Sequence, residues 1–191
     1  MTRAAATRLT TLLIACAAAG PAPAVDVDPL LSRAGAAAKG GNTAAAIEAL
    51  EEALAKVRAA ADLQEKPFLL VAQPARYYGD YRPRGNSVFR SGEAMQFYLE
   101  PKNLVYARSG EAYTPAFDVD MEVLSADGKV LGKQQKFGTL RLQSRSPVRD
   151  LFMNLKVTLT GAPPGAYEVR FVVRDTNSKK SATVAQAVTI K

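Results

Sequence analysis

The chain of 191 residues is 48% hydrophobic and 23% charged, which is ordinary for one or two globular domains. It has no histidine, no tryptophan and a single cysteine, Cys16, so a Ser-His-Asp or Cys-His catalytic device, a zinc cluster and an internal disulfide are excluded. Its formal net charge of +7 favours anionic partners without identifying one.

Residues 1–24 have the pattern of an export signal. Arg3 and Arg8 give a positive start, residues 9–19 form an apolar core, and residues 20–24 end in the small-x-small pattern that signal peptidase recognises. The core is shorter than the roughly 20 apolar residues of a permanent transmembrane helix. We therefore expect a periplasmic or secreted mature chain that begins near Val25 and carries 23 basic and 18 acidic residues.

A lipid anchor is the alternative to soluble export. The segment Leu13-Ile14-Ala15-Cys16 resembles a lipobox, in which Cys16 would carry the lipid. Only seven uncharged residues separate Arg8 from Cys16, whereas cleavage after Ala24 allows a longer core. Soluble export is therefore preferred, and a lipid-anchored envelope protein and an alanine-rich cytoplasmic helix remain alternatives.

Residues 25–65 predict a hairpin of two helices. Asp28 is expected to cap the first helix, with Pro29 in its first turn. Asn42 or Thr43, after Gly40-Gly41, can cap the second. The apolar positions recur at helical spacing and are Leu30, Leu31, Ala34 and Ala38 in the first helix, and Ile47, Leu50, Leu54 and Val57 in the second. The second helix carries Glu48, Glu51, Glu52 and Lys56 toward its other side.

The hairpin resembles one tetratricopeptide repeat over about residues 29–58. The resemblance rests on Leu30, Ala34, Gly41-Asn42, Ala46-Ile47, Leu50 and Ala53-Leu54. Alanines replace the large aromatics usual in the first helix, and no proline closes the unit at Arg58. Because one such unit cannot bury its own face, the resemblance implies packing on the rest of the chain, on a partner or on a second copy.

Residues 66–191 predict seven or eight β-strands, because apolar and polar residues alternate with no helical pattern between them. Asp127-Gly128 predicts a hairpin turn. A two-sheet antiparallel sandwich is favoured, and a closed barrel is the alternative. The last strand places Gln186 on its inward parity, which predicts a bulge or a change of sheet at Ala185-Gln186-Ala187.

This region resembles the immunoglobulin-like and fibronectin type III-like sandwiches of bacterial envelope proteins. The motifs that carry the resemblance are Phe89-Arg90-Ser91-Gly92-Glu93, Asp127-Gly128-Lys129-Val130-Leu131 and Pro163-Pro164-Gly165-Ala166-Tyr167. The resemblance implies a turn at Gly165 and a sandwich end closed by Tyr167. The expected fold is α+β by segments: an N-terminal helical hairpin, then an all-β immunoglobulin-like antiparallel sandwich of seven to eight strands.

Residues 76–85 form the densest candidate site. They include three arginines and three tyrosines: Arg76, Tyr77, Tyr78, Tyr81, Arg82 and Arg84. Arginine forks bind phosphate or carboxylate, tyrosines offer flat amphipathic faces, and both residue types anchor protein interfaces. Three interpretations therefore stay open: a connection that merely covers the sheet ends, a protein interface, and a site for an anionic or glycan ligand.

Two other charged groups have weaker patterns. Asp118, Asp120 and Glu122 alternate along one strand, about 6.5–7 Å apart, which suits hydrolysis by paired carboxylates only loosely, so a solvated outer face is expected. Arg141, Arg145 and Arg149 have no motif behind their spacing and are expected to be solvated charges of one basic loop.

The sequence thus predicts an exported, non-catalytic binding or scaffold protein of the cell envelope. The sandwich loops, the hairpin or both would contact the partner, which we expect to be another envelope protein. A carbohydrate- or anionic-ligand-binding module is the first alternative, and a carboxylate-based hydrolase is the second. We expect no cofactor, no metal, no nucleic acid and no transmembrane helix in the mature chain.

Overall fold

The computed structural model describes residues 24–191, so Cys16 and nearly all of the predicted signal peptide lie outside the described residues. In the described part, two helices, α1 and α2, are followed by nine strands, β1 to β9. The helices are Asp28–Lys39 and Thr43–Ala60, and the strands are Gln64–Val71, Val88–Phe89, Ala94–Lys102, Tyr106–Ser109, Ala112–Ser125, Val130–Arg141, Met153–Thr158, Gly165–Asp175 and Ser181–Ile190. The protein is therefore α+β with a β-rich C-terminal region.

The two helices form the predicted hairpin. Pro29 lies in the first turn of α1, but the predicted cap at Asp28 is wrong, because Val27 is the N-cap and the Asp28 N–H donates to the Asp26 carboxylate at 3.1 Å. Asn42 caps α2 as predicted, since its side-chain oxygen accepts a hydrogen bond from the Ala45 N–H at 3.1 Å. The connection between the helices is thus fixed by local polar contacts.

Alanines, together with one leucine, fill the contact between α1 and α2. The buried side chains are Leu30, Ala34, Ala46, Ala49 and Ala53. The large apolar residues of α2 do share one side, as predicted, but this side is exposed: Ile47 is 57% and Leu50 49% accessible. An exposed ion pair between Arg33 and Glu52, at 2.6 Å, also links the two helices. Alanine contacts let the helices approach closely, so the larger side chains point away.

Two sheets form the β region. One has the order β1-β3-β7, and the other has the order β2-β9-β8-β5, with both β4 and β6 also paired to β5. The pairings are antiparallel except for the short parallel contact of β2 with β9. Both sheets contribute to one hydrophobic core, which includes Met95, Phe97, Phe117, Val169 and Phe171.

The edges of the two sheets approach each other closely where β6 passes β7. A Cβ atom at Gly138 would lie 2.7 Å from the Met153 Sδ and 3.0 Å from a methyl carbon of Leu155. Only glycine fits such a contact without displacing a neighbour. The close contact of β6 with β7 therefore covers the hydrophobic core at this edge.

The turn at Asp127-Gly128 is confirmed, because Gly128 has a φ of 83° and its N–H donates to the Ser125 carbonyl at 2.9 Å. The predicted irregularity at Ala185-Gln186-Ala187 is wrong. The β8–β9 register runs without a shift through these residues. Gln186 is only half-buried and its amide donates to the Ala187 carbonyl at 3.0 Å, so its polar group is satisfied without a bulge.

The carboxylates of β5 pair with cations of the neighbouring strands in a charge ladder. The prediction that these carboxylates lie on a solvated outer face is therefore wrong. Asp118 and Asp120 are only 7% and 5% accessible. An Arg141 nitrogen lies 2.7 Å from Asp118, and Arg174 donates two hydrogen bonds to Asp120. Glu122 pairs with Lys133 at 2.8 Å on the same face. The alternation was predicted correctly, but cations from β6 and β8 cover the acids.

These pairings also lower two pKa values. The hydrogen bonds from Arg174 lower the pKa of Asp120 and outweigh the effect of burial. Burial opposes ionisation of Asp118, but hydrogen bonds from Arg141 and Thr139 outweigh it, so its pKa is lowered as well. Each carboxylate is thus held ionised by its own cation.

Candidate ligand-binding site

A cavity lies where the end of α2 meets the β region. It has a volume of about 550 Å³, which is within the roughly 300–1,000 Å³ of ordinary ligand pockets. Its lining includes six cationic or aromatic side chains from six separate segments: Arg58, Tyr78, Lys102, Tyr106, Tyr113 and Arg149. Ala55, Ala59 and Leu104 add apolar surface between them. This lining combines cations, flat rings and small apolar residues.

One lysine joins the helical wall of the cavity to its β wall. The Lys180 ammonium donates to the carbonyls of Arg58 and Asn103, each at 3.1 Å. Burial lowers the pKa of Lys180, although the charges of Asp175 and Asp62 oppose this. The end of α2 is therefore tied to the turn between β3 and β4.

The start of β4 is held by the turn that follows β8. The Asp175 carboxylate accepts the Val105 N–H at 2.7 Å. The Asn177 amide donates to the carbonyls of Val105 and Thr114, at 2.9 and 2.7 Å. The wall around Val105 and Tyr106 is thus fixed by hydrogen bonds within the described residues, so the cavity is preorganised.

A polar chain on the outer face of β3 fixes Tyr78 and Lys102. The Tyr98 hydroxyl donates to Glu100 at 2.7 Å, Lys102 donates to the other Glu100 oxygen at 2.6 Å, and Lys102 also donates to the Tyr78 hydroxyl. Burial opposes ionisation of Glu100, but these hydrogen bonds outweigh it and lower its pKa. Burial likewise opposes the charged form of Lys102, yet Glu100 and Tyr78 raise its pKa. The charge of Lys102 is therefore already neutralised by Glu100.

Tyr106 lines the cavity and is affected by the charges of two arginines that line it as well. Its hydroxyl donates to the Val148 carbonyl at 2.5 Å, which fixes the ring. Burial raises the pKa of Tyr106, and the positive charges of Arg149 and Arg58 oppose this rise. The charge of Asp150 acts in the opposite sense to those of the two guanidinium groups.

The six residues predicted as a site in the segment 76–85 do not come together. Tyr78 lines the cavity, whereas Arg76, Tyr77 and Arg82 are exposed and Tyr77 is 71% accessible. Tyr81 and Arg84 make structural contacts instead. The Tyr81 ring packs on Tyr98 at 4.7 Å between centroids, and Arg84 pairs with Glu93 at 2.9 Å and lies over the Phe89 ring.

The predicted basic loop is also divided. Arg141 is part of β6 and pairs with Asp118, Arg149 lines the cavity, and Arg145 is exposed. The three arginines therefore do not form one basic loop. Their separation has a simple cause, because β6 extends to residue 141 and takes the first of them into the charge ladder.

Gly165 and Tyr167 lie at the start of β8, as the resemblance implied. Gly165 opens the strand, and the Tyr167 hydroxyl donates back to the Pro163 carbonyl at 2.8 Å. This contact ties the preceding turn to the strand.

Sequence reasoning missed Arg58, Lys102, Tyr106 and Tyr113, and it did not connect Arg149 with any of them. These residues are up to 91 positions apart in the chain, so no local motif contains them. One signal was present: Tyr106 and Tyr113 flank the short β4–β5 hairpin near the end of β3. Tyrosines at strand ends are suited to line a cavity, because they bring both a ring and a hydroxyl.

Neither helix in residues 24–191 has the length and apolar character that crossing a membrane requires. Over the same range, histidine, cysteine, aspartate and glutamate side chains form no group of three that could hold a metal ion.

Comparison with known proteins finds only distant similarity. No protein-family model matches the sequence, and no curated protein matches it. The fold is similar to a family 123 glycoside hydrolase from Clostridium perfringens, at 11% identity and a TM-score of 0.36, over 56% of this chain and 22% of that one. It is similar to the alkylpurine DNA glycosylase AlkC of Pseudomonas fluorescens, at 11% identity and a TM-score of 0.38, over 80% of this chain and 40% of that one.

A conjugative transposon lipoprotein from Bacteroides eggerthii is similar at 13% identity and a TM-score of 0.31, over 64% of this chain and 97% of that one. The matched region spans less than two thirds of the glycoside hydrolase and of AlkC. Similarities this distant carry no argument about what the protein binds or does.

Proposed function

We propose that the protein is an exported, non-catalytic binding protein of the cell envelope and that its ligand site is the cavity between α2 and the β region. The observation that carries the proposal is the cavity itself: about 550 Å³, lined by three tyrosines and three cations from six segments. Cavities of this size with a few convergent polar groups are the usual places for small ligands.

The export component of the proposal rests on the sequence. Residues 1–24 combine a positive start, an apolar core and a cleavage pattern, which together are typical of a signal peptide. Mass spectrometry of the mature N-terminus tests this component. A first residue at Val25 supports soluble export, a lipid on Cys16 supports anchoring, and an uncleaved Met1 contradicts both.

We further propose that the β region is an immunoglobulin-like sandwich. Two observations support this proposal: the two sheets share one hydrophobic core, and the Tyr167 hydroxyl bonds to a carbonyl four residues upstream. Immunoglobulin-like folds use such a tyrosine to tie one end of the sandwich. The architecture positions loops at the sheet ends, and the cavity lies at such an end.

Filling the cavity tests the binding function without assuming any ligand chemistry. We would screen a fragment mixture that contains neutral, cationic and anionic compounds by ligand-observed NMR. Ala55→Trp places a large ring in the cavity, and Ala44→Trp places the same ring on an exposed site of the same helix. We expect fragments that bind the wild type and the Ala44→Trp variant but not the Ala55→Trp variant. If Ala55→Trp loses no fragment, the cavity is not the binding site.

A protein-binding scaffold is the second candidate, and the exposed part of the tyrosine–arginine segment favours it. Tyr77 is 71% accessible, and Arg76 and Arg82 near it are exposed as well. Exposed tyrosines and arginines are common anchors of protein interfaces. Crosslinking in cells from a photoreactive residue at position 77, with position 131 as the exposed control, tests this candidate. The same crosslinked products from both positions would remove this segment from consideration.

A further inference from the structure

We propose that the ligand of the cavity is a ring-bearing anion and that Arg58 and Arg149 bind its phosphate or carboxylate group. The inference rests on the proposed binding function of the cavity and adds the chemical class of the ligand. It assigns the anion to two arginines that are 91 positions apart and that the fold brings to the same cavity.

Arg58 and Arg149 differ from the other ten arginines of residues 24–191, of which five pair with a carboxylate and five are exposed, namely Arg76, Arg82, Arg90, Arg108 and Arg145. Arg33, Arg84, Arg141, Arg170 and Arg174 each pair with a carboxylate. Within residues 24–191, neither Arg58 nor Arg149 forms an ion pair. Both are only partly exposed, and both line the cavity. A half-buried guanidinium without a carboxylate is well placed to bind an anion from outside.

The charges around the cavity favour a negative ligand. Three basic residues line it against one acidic residue, Asp150, which is exposed. Lys102 is already paired with Glu100 at 2.6 Å, so the excess positive charge belongs to the two arginines. Tyr106, which also lines the cavity, is close enough to both arginines for their charges to oppose the burial-induced rise of its pKa, whereas Asp150 adds to that rise.

The rings of the cavity are held in place before any ligand binds. Tyr106 donates to the Val148 carbonyl, the Tyr78 ring lies 4.8 Å from the Lys102 ammonium, and the Tyr113 ring lies 4.6 Å from the Arg108 guanidinium. Tyrosines bind rings at a low entropic cost because few of their torsions must be fixed. The small side chains of Ala55 and Ala59 leave room between the rings and the arginines. An aromatic or sugar ring that carries an anionic group could contact the tyrosine rings and the two arginines at the same time.

The test compares four probes by isothermal titration calorimetry at low salt: phenyl phosphate, glucose 6-phosphate, inorganic phosphate and phenol. We expect a ring-bearing phosphate to bind more tightly than either inorganic phosphate or phenol. Which of the two ring-bearing probes binds better distinguishes an aromatic ring from a sugar ring. Equal binding of inorganic phosphate would contradict the ring, and equal binding of phenol would contradict the anion.

A matched pair of double variants tests the two arginines. Arg58→Gln with Arg149→Gln removes two charges from the cavity, and Lys56→Gln with Arg145→Gln removes two exposed charges from the same segments of the chain. We expect the cavity variant to lose at least about tenfold in affinity for the better phosphate probe, since charge-assisted hydrogen bonds are lost. The control variant should stay within about twofold of the wild type.

Two further results distinguish the failure of this inference from the failure of the binding function. Equal losses in both double variants would show that only net charge matters and would overturn the assignment to Arg58 and Arg149. Neutral fragments that Ala55→Trp displaces, without binding of any phosphate probe, would keep the cavity as the site and reject the anion. The single variants Arg58→Gln and Arg149→Gln, checked by circular dichroism, keep the test valid if the double variant unfolds.

Discussion

The helical hairpin and the β region bury their side chains in opposite ways. The hairpin is packed mainly by alanines such as Ala49 and Ala53, and its larger aliphatic residues except Leu30 are accessible. The β region buries large side chains completely, among them Phe97, Phe117 and Phe171. Because apolar stabilisation scales with the area that is buried, the β region carries most of the stability of the chain.

This difference explains why the cavity lies where it does. The cavity lies where the end of α2 adjoins the start of β1 and the end of β3. Alanines on α2 leave space there, and Lys180 bridges the gap through the carbonyls of Arg58 and Asn103. The hairpin thus contributes one wall and one arginine to a site that the β region otherwise builds.

The largest effect is expected from the centre of the aromatic core. Phe171 is fully buried and packs edge-on against Phe97, with ring centroids 5.1 Å apart. Phe171→Ala should lower the free energy of unfolding by about 3–5 kcal/mol, because it removes buried surface and leaves a cavity. Chemical denaturation followed by circular dichroism measures this loss.

The exposed Tyr77→Ala variant is the control for this substitution. It removes an aromatic ring of similar size from the surface, so its effect should stay within about 0.5 kcal/mol. Similar losses in both variants would mean that the aromatic cluster is not the stabilising centre of the β region.

Glu65 on β1 is an exception to the apolar interior, and it predicts a pH-dependent stability. Both of its carboxylate oxygens are buried without a hydrogen-bond partner among the described residues. Burial raises its pKa from 4.5 to about 8, although the charge of Lys102 opposes the rise. Between pH 4.5 and about pH 8, the Glu65 carboxyl is therefore protonated in the folded protein but ionised in the unfolded chain. The stability that this proton contributes is therefore complete below pH 4.5 and is lost as the pH rises to about 8.

Glu65→Gln should remove this dependence, because an amide does not ionise. Relative to the variant, the wild type should lose up to about 1.4 kcal/mol of stability per pH unit across that window. Unfolding curves at several pH values measure the difference, and the exposed Glu48→Gln variant controls for the removal of one carboxylate. Parallel pH profiles of the wild type and Glu65→Gln would contradict the raised pKa.

The alanine contact of the hairpin predicts a smaller loss. Ala49 is fully buried between the helices, so Ala49→Leu must push them apart. Overpacking of this kind costs about 1–3 kcal/mol. The helical signal in a thermal unfolding experiment should fall at a lower temperature, while Ala44→Leu at an exposed site should leave it unchanged. An equal effect of the two leucines would show that the alanines do not set the distance between the helices.

The sequence allowed the β region to be predicted better than the packing of the hairpin. Alternation along residues 167–174 and the turn at Asp127-Gly128 follow from local chemistry, so both could be read directly. In α2, periodicity correctly placed Ile47 and Leu50 on one side, but it could not say which side faces α1. That choice depends on how closely two helices can approach, which the neighbouring alanines decide.

The candidate site was less predictable because the fold alone assembles it. The cluster at residues 76–85 contributes only Tyr78 to the cavity, since Tyr81 and Arg84 are used to cover β3 and to pair with Glu93. Arg58 and Arg149 had no pattern that connected them. Local density of arginine and tyrosine was therefore a poor guide to which of them line this cavity.

The smallest effect is expected on the exposed side of α2, and it sharpens the contrast with Ala49. Leu50 is about half accessible, so Leu50→Ala gives up only part of the burial energy of a leucine and gains a little helix propensity. We expect a loss below about 1 kcal/mol, measured by the same thermal unfolding and compared with Ala49→Leu. A larger loss that grows with protein concentration would show that a second copy covers this side in solution, since only an associating surface makes stability depend on concentration.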